Sequence, residues 1–248
     1  MKLVFDDASS FKRCVDAIAV LIDEAEFQVD KDKFALKATD PSQISMIDFE
    51  LPASAFKEYT IKSPMRLGLD LDYFSQVMSR AKPKEELTLE LDEKNSRLSV
   101  TFKGSSTRKF SVPLLDLTSN ELPNPKIEFD AHIKLRAELL QDSLKDAALI
   151  STHFTFAVTD EKFCIKANSS KGELNNEISK KDSGLVELKV SEECKAMFPL
   201  DYFSDMLKAS SSQDVIELDL KANAPLKLSY SVGPAKLVYF LAPRIDNA

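Results

Sequence analysis

Apolar and polar residues alternate along this chain with two different periods, and the period changes several times. In residues 9–22 the apolar positions are spaced by four, three and four residues, which predicts a helix behind the capping sequence DDASS. Residues 26–59 alternate with period two, interrupted by DKD and TDPS, which predicts hairpin strands joined by turns. Helical spacing returns in residues 71–81, and the segments TLEL, RLSVTF and RKFSVPL then alternate again.

The second half of the chain shows the same succession. Its pattern predicts a helix over residues 135–149, strands over 154–189, a helix over 200–209 and strands over 215–241. Each half is expected to read strand, helix and three strands, and then the same again. Helices that cover one face of antiparallel sheets make an α+β fold the predicted class.

An internal duplication explains why the two halves look alike. LDYFS occurs at residues 71–75 and again at 200–204, an offset of 129 residues. The same offset places FQVDKDKFALKA (27–38) over FAVTDEKFCIKA (156–167), with six of twelve positions identical. We therefore expect two similar domains of ordinary size. The expected boundaries are 1–117 for the first domain, 118–130 for a connector and 131–248 for the second domain.

The connector TSNELPNPKIEFD contains two prolines and no hydrophobic period, so an extended segment is expected there. Leu122 and Ile127 within it are apolar. They either form part of a docking surface or simply pin the connector to the neighbouring sheet.

Composition is that of a globular protein, with 248 residues of which 44% are hydrophobic. The longest apolar run, AIAVLI, is far shorter than the roughly 20 residues that a membrane span needs. The amino terminus lacks a signal-peptide cleavage pattern, so we expect a cytoplasmic protein without membrane partners. The net charge of -7 argues against tight nonspecific binding to nucleic acid, which depends on lysine and arginine.

Catalytic motifs are missing from the sequence. The five glycines have no phosphate-loop spacing, and the two histidines have no nucleophile or metal-site partner near them in sequence. The three cysteines have no metal-ligand spacing, which predicts reduced thiols and no zinc site. The acidic runs, including Glu85 and Glu86, are expected on solvated faces. We therefore expect no enzyme activity, no metal and no cofactor.

Several motifs together resemble one known family. The duplicated unit, the segment RKFSVPLLD before a proline-containing connector, KATDPSQISMIDFELPASAF (37–56) and LAPRID (241–246) occur in the same order along the chain. In this combination they resemble the proliferating cell nuclear antigen family of DNA sliding clamps, especially its archaeal members. The resemblance implies a ring of three identical two-domain subunits around duplex DNA, with helices lining the hole and antiparallel sheets outside.

The resemblance also implies a set of DNA-facing basic residues on or next to the helices. The alternative for each of them is an ordinary solvated side chain. Three subunits carry about three times -7 in total charge, so direct affinity for DNA is expected to be weak, salt-dependent and independent of base sequence. The matching positions are Lys12, Arg13, Arg80, Lys82, Lys84, Lys145 and Lys208.

Two protein-binding surfaces follow from the same resemblance. One is an apolar pocket for client peptides of the Q-x-x-aliphatic-x-x-aromatic-aromatic kind, a concave site suited to two aromatic anchors. The implied pocket residues are Gln43, Ile44, Met46, Leu122, Pro123, Pro225, Phe240, Ala242 and Pro243. The other is the subunit interface, in which an edge strand over 109–114 pairs with one over 174–180 of a neighbour. The implied interface residues are Lys109, Phe110, Val112, Leu114, Leu174 and Ile178.

The expected function is therefore that of a non-catalytic processivity factor that encircles duplex DNA. Its implied partners are DNA polymerase, the clamp loader replication factor C, flap endonuclease and DNA ligase. One alternative is a single subunit of a heterotrimeric clamp. The other is an enzyme on a duplicated α+β scaffold, which the lack of a nucleophile, metal or phosphate motif disfavours.

Overall fold

The computed structural model describes residues 1–117, 122–123 and 125–245. The chain divides into two compact units. The first contains Met1–Ser42, Ile47–Pro123 and Ser231–Leu237, and the second contains Gln43–Met46, Asn124–Tyr230 and Val238–Ala248. None of the described helices is long and apolar enough to span a membrane.

The amino-terminal half contains nine strands and two α-helices. Its strands are hydrogen-bonded in the orders β5-β1-β7-β8-β9 and β4-β3-β2-β6, and every pair with a described register is antiparallel. A 3-10 turn at Ala53–Ala55 precedes β5. The elements are β1 (Lys2–Phe5), α1 (Ala8–Ala19), β2 (Glu24–Val29), β3 (Lys33–Thr39), β4 (Ser45–Pro52), β5 (Glu58–Thr60), β6 (Met65–Asp70), α2 (Leu71–Met78), β7 (Glu86–Asp92), β8 (Arg97–Lys103) and β9 (Thr107–Pro113).

The carboxy-terminal half repeats this order element by element. Its strand orders, β14-β10-β16-β17-β18 and β13-β12-β11-β15, are those of the first half with nine added to each number. The two-domain α+β fold is thereby confirmed. The elements are β10 (Ala131–Arg136), α3 (Ala137–Ile150), β11 (His153–Val158), β12 (Lys162–Ser169), β13 (Gly172–Ser179), β14 (Leu185–Val190), β15 (Cys194–Pro199), α4 (Leu200–Leu207), β16 (Val215–Leu220), β17 (Leu226–Val232) and β18 (Ala235–Leu241).

The repeated residues lie in the cores of the two units. Phe27 and Phe34 stack at 4.7 Å between ring centroids, and their counterparts Phe156 and Phe163 lie 4.9 Å apart. The phenylalanine of the second LDYFS, Phe203, meets Phe156 at 5.2 Å. All five rings are at most 2% exposed. Close packing of large rings tolerates few replacements, which is a physical reason for these positions to stay alike after duplication.

Several predicted element boundaries were wrong. The third helix begins at Ala137 instead of residue 135, because residues 131–136 form β10. The helix predicted over 71–81 ends at Met78, and the one over 200–209 ends at Leu207. Each half contains five strands between its two helices, where four were expected. Short strands that lead straight into a helix offer too few residues for alternation to be visible.

Candidate functional site

Two strands with open edges stand at the ends of their sheets. β9 is the last strand of the order β5-β1-β7-β8-β9, and β13 is the first of β13-β12-β11-β15. Among the described residues neither strand has a partner on its outer side. An exposed edge presents unpaired N–H and C=O groups that can pair with another chain.

The ladder register identifies which backbone groups point outward. The N–H of Leu114 donates to the carbonyl of Ser96 at 3.0 Å, so every second residue of β9 bonds to β8. The intervening Thr107, Lys109 and Ser111 direct their N–H groups away from β8. On β13 the N–H of Lys180 donates to the carbonyl of Glu161. The same alternation directs outward the N–H groups of Glu173, Asn175 and Glu177, whereas the N–H of Ser179 donates to the carboxylate of Asp182 at 2.7 Å.

The six predicted interface residues differ in exposure. Lys109 is exposed, while Phe110 and Leu174 are half-buried, and the Phe110 ring meets Phe102 edge-on at 5.9 Å. Val112 and Ile178 are at most 4% exposed, so their side chains belong to the cores. Leu114 follows the end of β9 and is half-buried. The side chains available for an interface are therefore fewer than the sequence suggested.

Basic residues gather beside β9. Arg108 of β9 donates from Nη1 to the carbonyl of Arg80 at 2.9 Å and from Nη2 to the carboxylate of Glu85. Glu85 also accepts from the N–H of Lys82 at 3.0 Å, and it is 6% exposed. Its expected place on a solvated face was thus wrong, because it is a buried partner of Arg108. These contacts hold the segment after α2 next to the open edge. We call its exposed residues Arg80, Lys82 and Lys84 the basic cluster.

Acidic residues gather beside β13. Glu138, Asp142 and Asp146 recur every four residues on α3, which places them on one helix face, and all three are exposed. We call them the acidic face of α3. The Asn176 side chain of β13 donates to the Ser143 hydroxyl of α3 at 2.6 Å, so this helix lies over β13. The regular spacing of the three carboxylates is visible in the sequence as an acidic side chain at every fourth residue.

The candidate DNA-facing residues are largely exposed, but carboxylates on the same helices offset their charge. Lys12 pairs with Asp16 one turn away. Lys145 lies 2.8 Å from Asp142, whose hydrogen bond raises the pKa of that lysine. The nitrogen of Lys208 lies 2.6 Å from Asp205. Arg13 is exposed, as are the three members of the basic cluster. The four helices together carry seven carboxylates and three basic side chains.

The structure brings together the two ends of the predicted client pocket within the second unit. The N–H of Ala242, just after β18, donates to the carbonyl of Ile44 at 2.8 Å. Phe240 and Met46 are each 8% exposed, whereas Ile44 and Ala242 are half-buried.

The remaining pocket residues border this contact or lie elsewhere in the sequence. Gln43 is exposed and adopts a positive φ of 57°, and Pro243 is half-buried. Pro225 is half-buried and immediately precedes β17. Leu122 is half-buried and Pro123 is exposed, but residues 118–121 and 124 of the connector lie outside the described residues. The connector side of the pocket stays a prediction.

The cysteines have no activated thiolate. Cys14, Cys164 and Cys194 are free and buried. Burial raises the pKa of the Cys14 thiol to about 12 and that of Cys194 to about 11. Such thiols stay protonated near neutral pH and are poor nucleophiles. No cluster of three or more metal-ligating side chains occurs among the described residues.

Comparison with known protein families gives two matches that together cover the chain. Residues 1–123 match the N-terminal domain of proliferating cell nuclear antigen, and residues 124–245 match its C-terminal domain. A DNA polymerase sliding clamp of Pyrococcus furiosus is 33% identical over 247 residues, which is 99% of each chain.

Solved structures give the same result at the level of the fold. Proliferating cell nuclear antigen from Thermococcus kodakaraensis superimposes with a TM-score of 0.94 at 28% identity, covering 98% of this chain and 99% of that one. The A. fulgidus protein bound to the C-terminal region of FEN-1 gives a TM-score of 0.89 at 26% identity, covering 100% and 99%.

Proposed function

Because this chain belongs to the proliferating cell nuclear antigen family, we propose that it is a DNA sliding clamp, a non-catalytic processivity factor that encircles duplex DNA. It acts in the cytoplasm at the nucleoid and tethers replication and repair enzymes. For its domains we propose the boundaries 1–117 and 131–248, with the connector 118–130 between them. Two domains in each of three subunits allow one type of chain to close a wide ring.

Ring closure is proposed from the open edges of β9 and β13, which lie beside opposite charges. β9 of one subunit pairs with β13 of the next through the outward N–H groups of both strands. This pairing also places the basic cluster, held beside β9, against the acidic face of α3, which lies over β13. Opposite charge on the two edges favours head-to-tail contact between identical chains and disfavours contact between like edges.

The helices line the hole and bind the DNA only weakly. Lys12, Lys145 and Lys208 each have a carboxylate partner on their own helix, so the ring makes few uncompensated phosphate contacts. Weak contacts suit sliding, because topological enclosure keeps the ring on the duplex. The remaining candidate contacts are Arg13 and the basic cluster, part of which also faces the neighbouring subunit in this arrangement.

Client enzymes dock by a short glutamine-and-aromatic motif at the groove formed around Ile44, Phe240, Ala242 and Pro243. The carboxy-terminal segment is tied to Ile44 by a backbone hydrogen bond, which shapes one wall before a client arrives. The clients are DNA polymerase, flap endonuclease and DNA ligase, and replication factor C loads the ring. The related structure with the C-terminal region of FEN-1 supports this assignment.

Light scattering across protein concentration and salt tests ring formation. We expect a mass of about 83 kDa, three times 27.7 kDa, that falls as salt weakens the charged part of the interface. The trimer should then be retained on closed circular DNA after loading and lost when the circle is cut. A mass that stays at one chain would contradict the homotrimer. The heterotrimeric clamp would then be the hypothesis to test, by adding other clamp subunits.

A further inference from the structure

A basic cavity lies on the second unit and borders the edge proposed for ring closure, because Glu173, Leu174 and Asn175 of β13 are among its lining residues. It has a volume of about 640 Å³ and lies at strands β11, β12, β13 and β15. Lys166, Lys195 and Arg244 line it together with His153, and among the described lining residues Glu173 is the only one with a carboxylate. The chain as a whole has 40 acidic and 33 basic residues, so this excess of positive charge runs against the composition. Its chemistry suits an anionic ligand.

The two lysines are available to such a ligand. Both are exposed, and neither forms an ion pair with another described residue. In the ladder Lys166 lies opposite Thr155 of β11, and Lys195 lies opposite Ala157 on the other side of that strand. A spacing of roughly 4.8 Å between strands puts the two lysine backbones about 12 Å apart. An extended peptide covers this distance with about four residues.

Arg244 is held in place at the rim of the cavity. Its N–H donates to the carbonyl of Met197 at 2.8 Å, which pairs the carboxy-terminal segment with β15. Its guanidinium Nη1 lies 3.2 Å from both ring nitrogens of His153. A guanidinium whose position is already fixed loses less entropy when it binds a carboxylate.

The cavity opens on the face of the sheet that points away from the helices. His153 and Thr155 line it, whereas the alternate residues Phe154 and Phe156 pack against Phe203 of α4 at 5.2 Å. A duplex that runs along the helices cannot reach it. The cavity is, however, close to the client groove. Arg244 at the rim of the cavity is two residues beyond Ala242, and the N–H of Ala242 donates to the carbonyl of Ile44 in the groove.

We propose that this cavity binds an acidic peptide segment of client proteins, next to their glutamine-and-aromatic motif. The client chain runs in extended form from the groove across Arg244 to Lys166 and Lys195, and its Asp or Glu carboxylates pair with these cations. The inference rests on the proposed function, since it uses the client groove as its starting point. It adds a charge-based preference among clients that share the same motif.

Fluorescence anisotropy with three labelled peptides tests this. The first has the motif with a flank of alternating Asp and Glu, the second has the same motif with an Asn and Gln flank, and the third is the acidic flank alone. The variants are K166Q/K195Q and, as a control with the same loss of charge, K62Q/K94Q, whose lysines are exposed and lie in the first unit.

For the wild type at low salt, we expect the acidic flank to strengthen binding about tenfold over the neutral flank. K166Q/K195Q should lose this gain and bind the neutral-flank peptide as the wild type does, while K62Q/K94Q keeps the gain. The inference is overturned if the acidic flank does not strengthen binding to the wild type. It is also overturned if the stronger binding persists in K166Q/K195Q, or if it is reduced equally in both variants.

The peptide that contains only the acidic flank tests the cavity independently of the client groove. If the neutral-flank peptide fails to bind, the groove assignment is wrong. The cavity is then judged by whether the acidic peptide binds and loses binding in K166Q/K195Q, and its failure to bind overturns the proposal. Competition by inorganic phosphate or a 5′-phosphorylated oligonucleotide that exceeds competition by the acidic peptide identifies a phosphate site instead and also overturns it.

Discussion

Ring closure through the outer edge of β9 can be tested with one proline. Lys109 lies opposite Thr101 in a pair without mutual hydrogen bonds, so the N–H and C=O of Lys109 point away from β8. The N–H of Lys109 therefore has no partner in the described ladder. Proline is compatible with an edge strand at such a position, and Pro113 already occupies the equivalent position four residues along. We therefore expect Lys109→Pro to leave the subunit folded while it blocks strand addition.

The expected effect on the interface follows from the groups that are lost. Proline removes one outward hydrogen-bond donor, worth about 1 kcal/mol net. Its ring also keeps the neighbouring strand from making at least one adjoining bond, so the total is about 2–3 kcal/mol per interface. This corresponds to roughly 30-fold to 150-fold weaker association at each contact.

Light scattering over a range of protein concentrations measures the change. Lys109→Pro should shift the mass from about 83 kDa towards 27.7 kDa at concentrations where the wild type is trimeric. Circular dichroism and thermal unfolding should show that the variant subunit is folded. Lys109→Gln is the matched control, since it removes the same charge and keeps the N–H. The reasoning is refuted if the proline variant stays trimeric, or if the glutamine variant dissociates equally.

Four further outcomes are expected. Pro243→Ala should weaken a glutamine-and-aromatic peptide about tenfold in anisotropy without changing the oligomer, and unchanged affinity would remove this residue from the groove. Phe156→Ala should lower the free energy of unfolding by about 3–5 kcal/mol in denaturant titrations, because its ring is fully buried among other rings; a loss below about 1 kcal/mol would contradict that packing. Asp70→Ala should cost about 1 kcal/mol in the same titrations, since the carboxylate accepts from the N–H of Tyr73 at 2.9 Å as the cap of α2, and Asp70→Asn should retain most of it. A pKa raised to about 12 keeps the Cys14 thiol neutral at pH 8, so a disulfide reagent should react with it only after unfolding, and fast labelling of the native protein would disprove its burial.

The duplication and the fold class could be predicted from the sequence because they depend on residues that recur. Phe27 and Phe156 occupy equivalent buried sites, and the repeated LDYFS places Phe74 and Phe203 in equivalent positions on α2 and α4. A core constrains the size and shape of its side chains, and that constraint is visible as identity at a fixed offset. Period and identity together therefore gave the correct class.

The edge strands could be predicted only in part. Their positions followed from the family resemblance, but the burial of Val112 and Ile178 did not, because period-two alternation does not indicate which face of an edge strand meets the core. The burial of Glu85 was also unpredictable, since its partner Arg108 is 23 residues away along the chain. The acidic face of α3 was readable in the sequence, but its position beside β13 needed the contact between Asn176 and Ser143.

The sequence by itself determined the duplicated α+β fold, the two like domains and the family resemblance. These features are encoded in local period and in residues repeated at one offset. Only the tertiary structure decided which charges meet. It placed Arg108 on Glu85, tied Ala242 to Ile44 and gathered Lys166, Lys195 and Arg244 around one cavity. The physical reason is that a charged or polar contact depends on the distance between atoms, and residues far apart in sequence acquire that distance only when the strands pair.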